Sequence, residues 1–299
     1  MTLTLDAPAK VNLWLLVGPL RDDGFHDVDT LFCALELADT VSVDTTAGGG
    51  AGIRLEVDHA PPLQSMPELG SDHRNLAVQA ATAMLDAMRR PRGLGIDLVK
   101  RIPPGGGLGG GSSDAGAVLR ALDQACPGEL DADRRQELAA GLGSDVPFFA
   151  SGQALARGLG RGELLDPLPT LSPRTVVLAL PHVHIATAEA YRWLDQDRSN
   201  GDAPPPPELG KPVPEGLGWD DIAATARNDF EAVVFRRYPE LGRLRDRLAH
   251  HGASPALLAG SGSTVFGVFD DEAAAATAAE DLRSRFADLF VVTSRTRPR

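Results

Sequence analysis

Residues Pro103 to Gly116 read PPGGGLGGGSSDAG, between an apolar stretch (Gly95–Ile102) and an alanine-rich, helix-forming one (Ala115–Ala125). That order constrains this part of the chain to strand, tight loop and helix. Glycines let successive backbone N–H groups converge on one point, and a helix start adds partial positive charge aimed at it, so the segment is suited to holding a phosphate. A Walker loop ends in Lys followed by Ser or Thr, whereas here Ser112 and Ser113 follow Gly111 directly. Gly105, Gly107 and Gly110 also satisfy G-x-G-x-x-G. No second strand with an acidic end follows at about 20 residues, as a dinucleotide site requires. The remaining alternative is a glycine linker, and linkers rarely join a strand pattern to a serine-capped helix.

With 299 residues the chain has room for two modest domains or one large one. Its 43% hydrophobic and 23% charged residues are those of an ordinary globular protein. A net charge of −12 argues against nucleic acid or an anionic membrane as partner and points to small molecules, leaving room for a local basic pocket. Cys33 and Cys126 are the only cysteines and have no metal-like spacing, which fits a reducing cytoplasm. The start, MTLTLDAPAK, lacks a basic region followed by an apolar core, and no apolar run approaches membrane-spanning length. The expected location is cytoplasmic, with no membrane contact.

Strand patterns cover Thr2–Leu5 and Val11–Val17, flanking a break at Ala7-Pro8-Ala9-Lys10, then Thr40–Asp44 and Gly52–Val57. A helix is predicted over Asn75–Arg89, and another over Asp131–Leu142 with Asp131 as its N-cap. The Gly- and Pro-rich segment Gly158–Pro173 is the best domain boundary, dividing the chain into 1–165 and 166–299. Beyond it come a buried strand at Thr175–Leu180 and a helix at Thr187–Leu194. Residues Asp195–Gly218, with four consecutive prolines (Pro204–Pro207), form a surface excursion. Helices near Asp220–Thr225, Phe230–Arg237, Glu240–Ala249 and Glu272–Phe286, with strands at Ala256–Leu258, Thr264–Phe269 and Phe290–Thr293, make this half α+β with mixed antiparallel pairing.

The segments Ala7–Phe32, Pro103–Gly116, Gly143–Phe149 (GSDVPFF) and Ala259–Phe266 (AGSGSTVF) together resemble one family. The glycine-serine loop and the late Gly-Ser-Gly turn are similar to the small-molecule kinases of the GHMP superfamily. The opening Pro-Ala-Lys-x-Asn-Leu, the Asp-Gly-aromatic-His element and Asp-Val-Pro-Phe-Phe narrow the resemblance to the 4-diphosphocytidyl-2-C-methyl-D-erythritol kinases of non-mevalonate isoprenoid synthesis. The resemblance implies an α+β, two-domain GHMP kinase fold: a strand-rich N-terminal ATP-binding domain (1–165) and a mixed α/β C-terminal substrate domain (166–299). It also implies ATP-dependent phosphorylation of the 2-hydroxyl of CDP-methylerythritol, with Mg²⁺, by a monomer or weak homodimer. Another GHMP-type kinase, acting on homoserine, mevalonate or a sugar, and a non-catalytic nucleotide-binding module stay as alternatives.

Phosphoryl transfer needs positioning and charge neutralisation more than covalent chemistry. Carried over by resemblance, Asp145 is the catalytic base and Lys10 the cation beside it; the plainer alternatives are a helix N-cap and a solvated lysine. The same resemblance assigns the ATP phosphates to Pro103, Pro104, Gly105, Gly106, Gly107, Leu108, Gly109, Gly110, Gly111, Ser112 and Ser113, with Asn75 and Lys100 also on the nucleotide side. Ser112 and Ser113 are further candidates for Mg²⁺ contact, and no acidic cluster identifies a dedicated metal site. Asn12, His26 and Thr187 match acceptor-binding positions, and Phe25 and Tyr191 match two aromatics that sandwich the cytosine. Phe25 stands where relatives usually carry tyrosine, so stacking is kept and any phenol hydrogen bond lost. Core packing is the alternative for the two aromatics and a backbone-bonded turn for His26. His182 and His184 form H-x-H without a visible third ligand, which favours a structural role over a zinc site. Gly260–Ser263 reads as a tight hairpin or as a turn closing on phosphate or substrate, and the resemblance favours the second.

Overall fold

The structure is a computed structural model describing residues 1–46, 52–61, 63, 73–91, 93–286 and 288–298. The chain forms two compact units, each assembled from separate stretches. The first comprises Met1–Ala9, Leu37–Pro104 and Gly109–Gln153, and the second Lys10–Glu36, Gly105–Leu108 and Ala154–Arg299. Strands β1 (Thr2–Leu20) and β2 (His26–Asp44) each contribute residues to both. The expected break at Ala7-Pro8-Ala9-Lys10 does not occur. The fixed φ of Pro8 suits an extended chain, and burial of Ala7, Ala9 and Val11 holds the strand straight through it.

In the first unit, β3 (Ile53–His59) runs parallel to β4 (Leu94–Lys100), which pairs antiparallel with the Thr40–Asp44 end of β2. Helices α1 (Leu76–Ala87), α2 (Gly110–Ala125), α3 (Ala132–Leu142) and α4 (Val146–Ser151) share a core with this sheet, through residues such as Val43, Ile96, Leu98, Met84 and Val118. Asn75 caps α1 through the N–H of Ala77 (3.0 Å), and Asp131 caps α3 through that of Arg134 (2.8 Å). α2 begins earlier than Ala115, and its cap is not a serine. Gly109 occupies that position at φ 75°, a conformation costly to any residue with a Cβ, so Ser112 and Ser113 fall inside the helix. A Cβ on Gly116 would lie 2.6 Å from Phe149 Cβ, so α4 is seated directly on α2.

The second unit carries an antiparallel sheet in the order β10 (Phe290–Arg295), β7 (Thr175–Leu180), β9 (Val265–Phe269), β8 (Ala256–Leu258). Its core joins Val177, Ala179 and Val265 to apolar residues of α5 (Thr187–Ser199), α7 (Glu231–Arg237), α8 (Pro239–His250) and α9 (Glu272–Arg285). A short α6 (Trp219–Thr225) precedes α7. Gly158–Pro173 is more than a linker: it holds much of a hairpin, β5 (Leu155–Leu159) with β6 (Leu164–Pro167), whose β5 also pairs with Thr30–Cys33 of β2. The proline-rich excursion has no regular structure beyond α5, yet it is tied down where Gly210 N–H donates to the buried Asp29 (2.9 Å). Arg157 holds the same carboxylate at 2.5 and 2.9 Å. Cys33 and Cys126 are buried and unbridged, and burial pushes the Cys33 thiol up to about 12. Among the described residues no helix is long and apolar enough to cross a membrane.

Candidate active site

In the second unit, Gly105–Leu108 lies between β1 and the Gly260–Ser263 turn. Lys10 N–H donates to Leu108 O (3.0 Å), and Thr264 N–H donates to Gly106 O (3.3 Å). Gly107 sits at φ 79°, and a Cβ there would come within 2.1 Å of Ala259 O. Backbone therefore packs on backbone, which only glycine permits. Asn228 holds the turn, its Nδ2 donating to Leu258 O (2.9 Å) and Gly260 O (2.7 Å) while its Oδ1 accepts from Phe230 N–H (3.0 Å). Sequence reasoning missed Asn228, because a polar residue ahead of a helix reads as an ordinary cap. His184 packs beside the loop, with Nδ1 3.1 Å from where a Gly105 Cβ would lie. Among the described residues no group of His, Cys, Asp or Glu is arranged to hold a metal ion.

Lys10 is 4% exposed, which removes the solvated-lysine alternative. Its Nζ donates to Asn12 Oδ1 (2.8 Å), Asn12 Nδ2 donates to Thr30 Oγ1 (2.7 Å), and Thr30 Oγ1 donates to Trp14 O (2.8 Å). This chain of bonds between β1 and β2 fixes the direction of the ammonium. Asn12, expected at the acceptor, has both ends of its amide engaged here. A Cβ on Gly260 would lie 3.5 Å from Lys10 Nζ, so the ammonium is beside the Gly-Ser turn as well as the loop.

His26 and Tyr191 meet face to face, with ring centroids 4.9 Å apart and planes 25° from parallel, and Phe230 packs edge-on against Tyr191 at 4.8 Å. His26 is buried, and its Nε2 lies 2.8 Å from Asp195 Oδ1, a side-chain partner in place of the backbone bond considered for it. Asp195 follows Tyr191 by one helical turn of α5, a signal the sequence contained but the excursion reading hid. Phe25 is 51% exposed, which removes the core reading, and its ring faces the Arg161 guanidinium at 5.1 Å. Thr187 opens α5, and its Oγ1 lies 3.1 Å from Ser261 Oγ, tying that helix to the Gly-Ser turn.

In the first unit, Gly109–Gly111, Ser112 and Ser113 form the end of the loop and the start of α2. Asn75 is engaged as the α1 cap. Lys100 is buried, and its ammonium bonds the carboxylates of Asp39 and Asp114, neither of which sequence reasoning singled out. Burial works to lower the Lys100 pKa, but the two carboxylates outweigh it and hold the pKa above its ordinary value. Asp145 occupies the N-cap position of α4 without a side-chain cap bond, ahead of the buried Val146, Pro147, Phe148 and Phe149.

The profile of the GHMP kinases N terminal domain matches residues 75–153, and that of the GHMP kinases C terminal domain matches residues 218–288. A 4-diphosphocytidyl-2-C-methyl-D-erythritol kinase of Syntrophomonas wolfei is 36% identical over 98% of each chain. That of Solibacter usitatus is 42% identical over 89% of this chain and 81% of its own. A crystal structure of 4-(cytidine 5'-diphospho)-2C-methyl-D-erythritol kinase superposes with a TM-score of 0.76 at 36% identity, covering 98% of both chains. Homoserine kinase from Cytophaga hutchinsonii, at 17% identity and a TM-score of 0.67, shares the fold. With a glycine loop packed against an oriented, buried lysine and relatives of this similarity along the whole chain, the protein belongs to the 4-diphosphocytidyl-2-C-methyl-D-erythritol kinase family of the GHMP kinases.

Proposed function

We propose that the protein transfers the γ-phosphoryl group of ATP to the 2-hydroxyl of 4-diphosphocytidyl-2-C-methyl-D-erythritol, giving the 2-phosphate and ADP. The observation that carries this reading is Lys10, buried, aimed by Asn12 and Thr30, and bonded through its backbone to the glycine loop. A buried ammonium beside a phosphate cradle stabilises the charge that develops on a phosphoryl group in flight. Asp145 accepts the hydroxyl proton as general base. Loop N–H groups and the start of α2 hold the phosphates, and the acceptor role falls to residues from both halves of the chain, His26 with Tyr191. The hydroxyls of Ser112 and Ser113 are the protein oxygens that would hold a magnesium ion brought with ATP, which would lower the charge of the phosphates. The test is turnover with CDP-methylerythritol and ATP followed by ³¹P NMR: a new phosphomonoester at the 2-position is expected, and ATP hydrolysis without it contradicts the reading.

Two variants probe the two substrates separately. Gly107→Ala places a Cβ against Ala259 O in a backbone region that costs non-glycine residues about 1–3 kcal/mol, so ATP affinity should fall by about tenfold or more. The loop and the turn must shift together. Unchanged ATP affinity in a folded variant means the loop is not the cradle.

Tyr191→Ala removes one stacking surface for a base and the ring supporting His26. The acceptor KM should rise by the equivalent of about 1–3 kcal/mol, with the KM for ATP nearly unchanged. If only ATP binding suffers, Tyr191 belongs to the donor side.

A further inference from the structure

In the second unit the segment Arg227–Asp229, just ahead of α7, is bonded to the strand that carries Lys10. Leu15 of β1 donates its N–H to Arg227 O (2.8 Å) and accepts from Asp229 N–H (3.0 Å), so Asn228 lies beside β1 as a single residue of parallel pairing. Asp229 strengthens that pairing. Its carboxylate accepts from Val17 N–H (2.9 Å) and from the Arg198 guanidinium (3.1 Å).

From this fixed backbone the buried Asn228 amide reaches the Gly-Ser turn, with Nδ2 donating to both Leu258 O and Gly260 O and Oδ1 accepting from Phe230 N–H. Glu231 accepts from Leu258 N–H (2.8 Å), so the residue that ends β8 is held by both of its backbone groups. Beyond it the turn closes on itself, through Ala259 N–H to Thr264 O (2.8 Å) and Gly262 N–H to Ala259 O (2.9 Å). Asn228 therefore fixes where the turn stands relative to β1. Two close approaches depend on that placement: Gly260 beside the Lys10 ammonium, and Ala259 O against Gly107 of the loop. Without the amide donor both carbonyls would be buried and unsatisfied, and the turn would shift to find other partners.

We propose that Asn228 is a positioning residue for the phosphoryl-transfer step, the joint that keeps the Gly260–Ser263 turn in register with the strand bearing Lys10. This rests on the reading of Lys10 as the cation that stabilises the transferred group. Where a group acts through its position, a misplacement on the order of 1 Å can cost about 10²-fold in rate, even when the residue responsible touches no substrate. The loss falls on kcat, because the ammonium is needed most as charge develops. Charges around the joint are matched: Asp229 is paired with Arg198 and Arg227, Glu231 lies 3.8 Å from Arg245 of α8, and Lys10 is beside Gly260.

Asn228→Ser separates the two ends of the amide. A serine hydroxyl still accepts from the N–H two residues on, which keeps the start of α7, but it is too short to reach the turn. Steady-state kinetics of the full chain with ATP and CDP-methylerythritol should give a kcat about tenfold or more below wild type, with both KM values changed by less than about threefold. Wild-type kcat in the folded variant, or a loss confined to KM, overturns the proposal. Asn228→Asp supplies a second measurement. Ionised, its carboxylate faces two carbonyl oxygens and cannot donate; protonated, it donates to one of them and still accepts from Phe230 N–H. The repulsion favours the protonated form, so the kcat of this variant divided by that of wild type should rise as pH falls from about 8 to about 6. Taking the ratio removes groups that titrate in both proteins, among them Glu231, which burial pushes up to about 7. A flat ratio overturns the proposal, with urea unfolding at each pH showing that both proteins are folded. An unaffected Asn228→Ser beside an active wild type removes this inference alone, whereas absence of wild-type turnover removes the kinase reading with it.

Discussion

Asp145→Asn is expected to lower kcat by about 10²-fold or more while both substrates still bind. The position leads α4, which is held on α2 by the close contact of Gly116 with Phe149, and the side chain makes no cap bond to its own helix. Asparagine keeps the volume and removes the charge. A carboxylate that accepts the hydroxyl proton only as phosphoryl transfer proceeds is missed in kcat and hardly at all in ground-state binding. Steady-state kinetics with both substrates varied separate the cases. Turnover near the wild-type rate removes Asp145 from the mechanism, and loss of ATP affinity alongside kcat assigns it to the cation or the loop. Lys10→Met belongs in the same experiment: if the two side chains act as a unit, the double variant is little worse than the more damaged single one.

Lys100→Met should destabilise the protein by about 3–5 kcal/mol, the usual cost of leaving a buried ion pair with one partner missing. Methionine fills similar space, so packing changes little and the loss reports the stranded Asp39 and Asp114. Asp114→Asn behaves oppositely. The folded protein raises the Asp114 pKa from 3.8 to about 7, so its ionisation works against folding. That cost grows as pH climbs from the ordinary carboxylate range to about 7 and is constant above. The variant should therefore gain stability over the wild type above that range and match it in acid. Urea unfolding at several pH values measures both. A Lys100→Met midpoint equal to that of the wild type contradicts the cluster as described.

Local patterns carried the parts of this fold that local chemistry decides. The Asp131 cap, the helix beginning near Asn75, the fully buried strand Thr175–Leu180 and the segment Ala256–Leu258 could be read because capping and burial leave marks on neighbouring residues. The run from His26 to Asp39 was missed as strand because its charged residues interrupt the alternation, and Asp29 and Asp39 are buried by partners distant in sequence, Arg157 and Lys100. Pro8 misled for the opposite reason: a local breaker was overridden by burial on both sides.

In the site, the glycine loop stood out from the residues themselves and Lys10 only through the resemblance, and the geometry now explains what orients the lysine. Asp195 was hidden by the excursion reading although it follows Tyr191 by one helical turn, whereas Asn228 and Asp114 were invisible because each is defined by a distant partner: the carbonyls of the Gly-Ser turn, and Lys100. A single chain read alone has no signal for such pairs.

Acceptor selectivity tests the account at its centre. A coupled ADP-release assay that compares kcat/KM for CDP-methylerythritol, mevalonate and homoserine under identical conditions asks whether the His26–Tyr191 cluster and the Lys10 centre serve one chemistry. The account predicts turnover with CDP-methylerythritol that exceeds the other two by at least about 10²-fold, since neither small acceptor carries a base to stack. Comparable efficiency on all three, or a preference for an acceptor without a nucleotide, would contradict it.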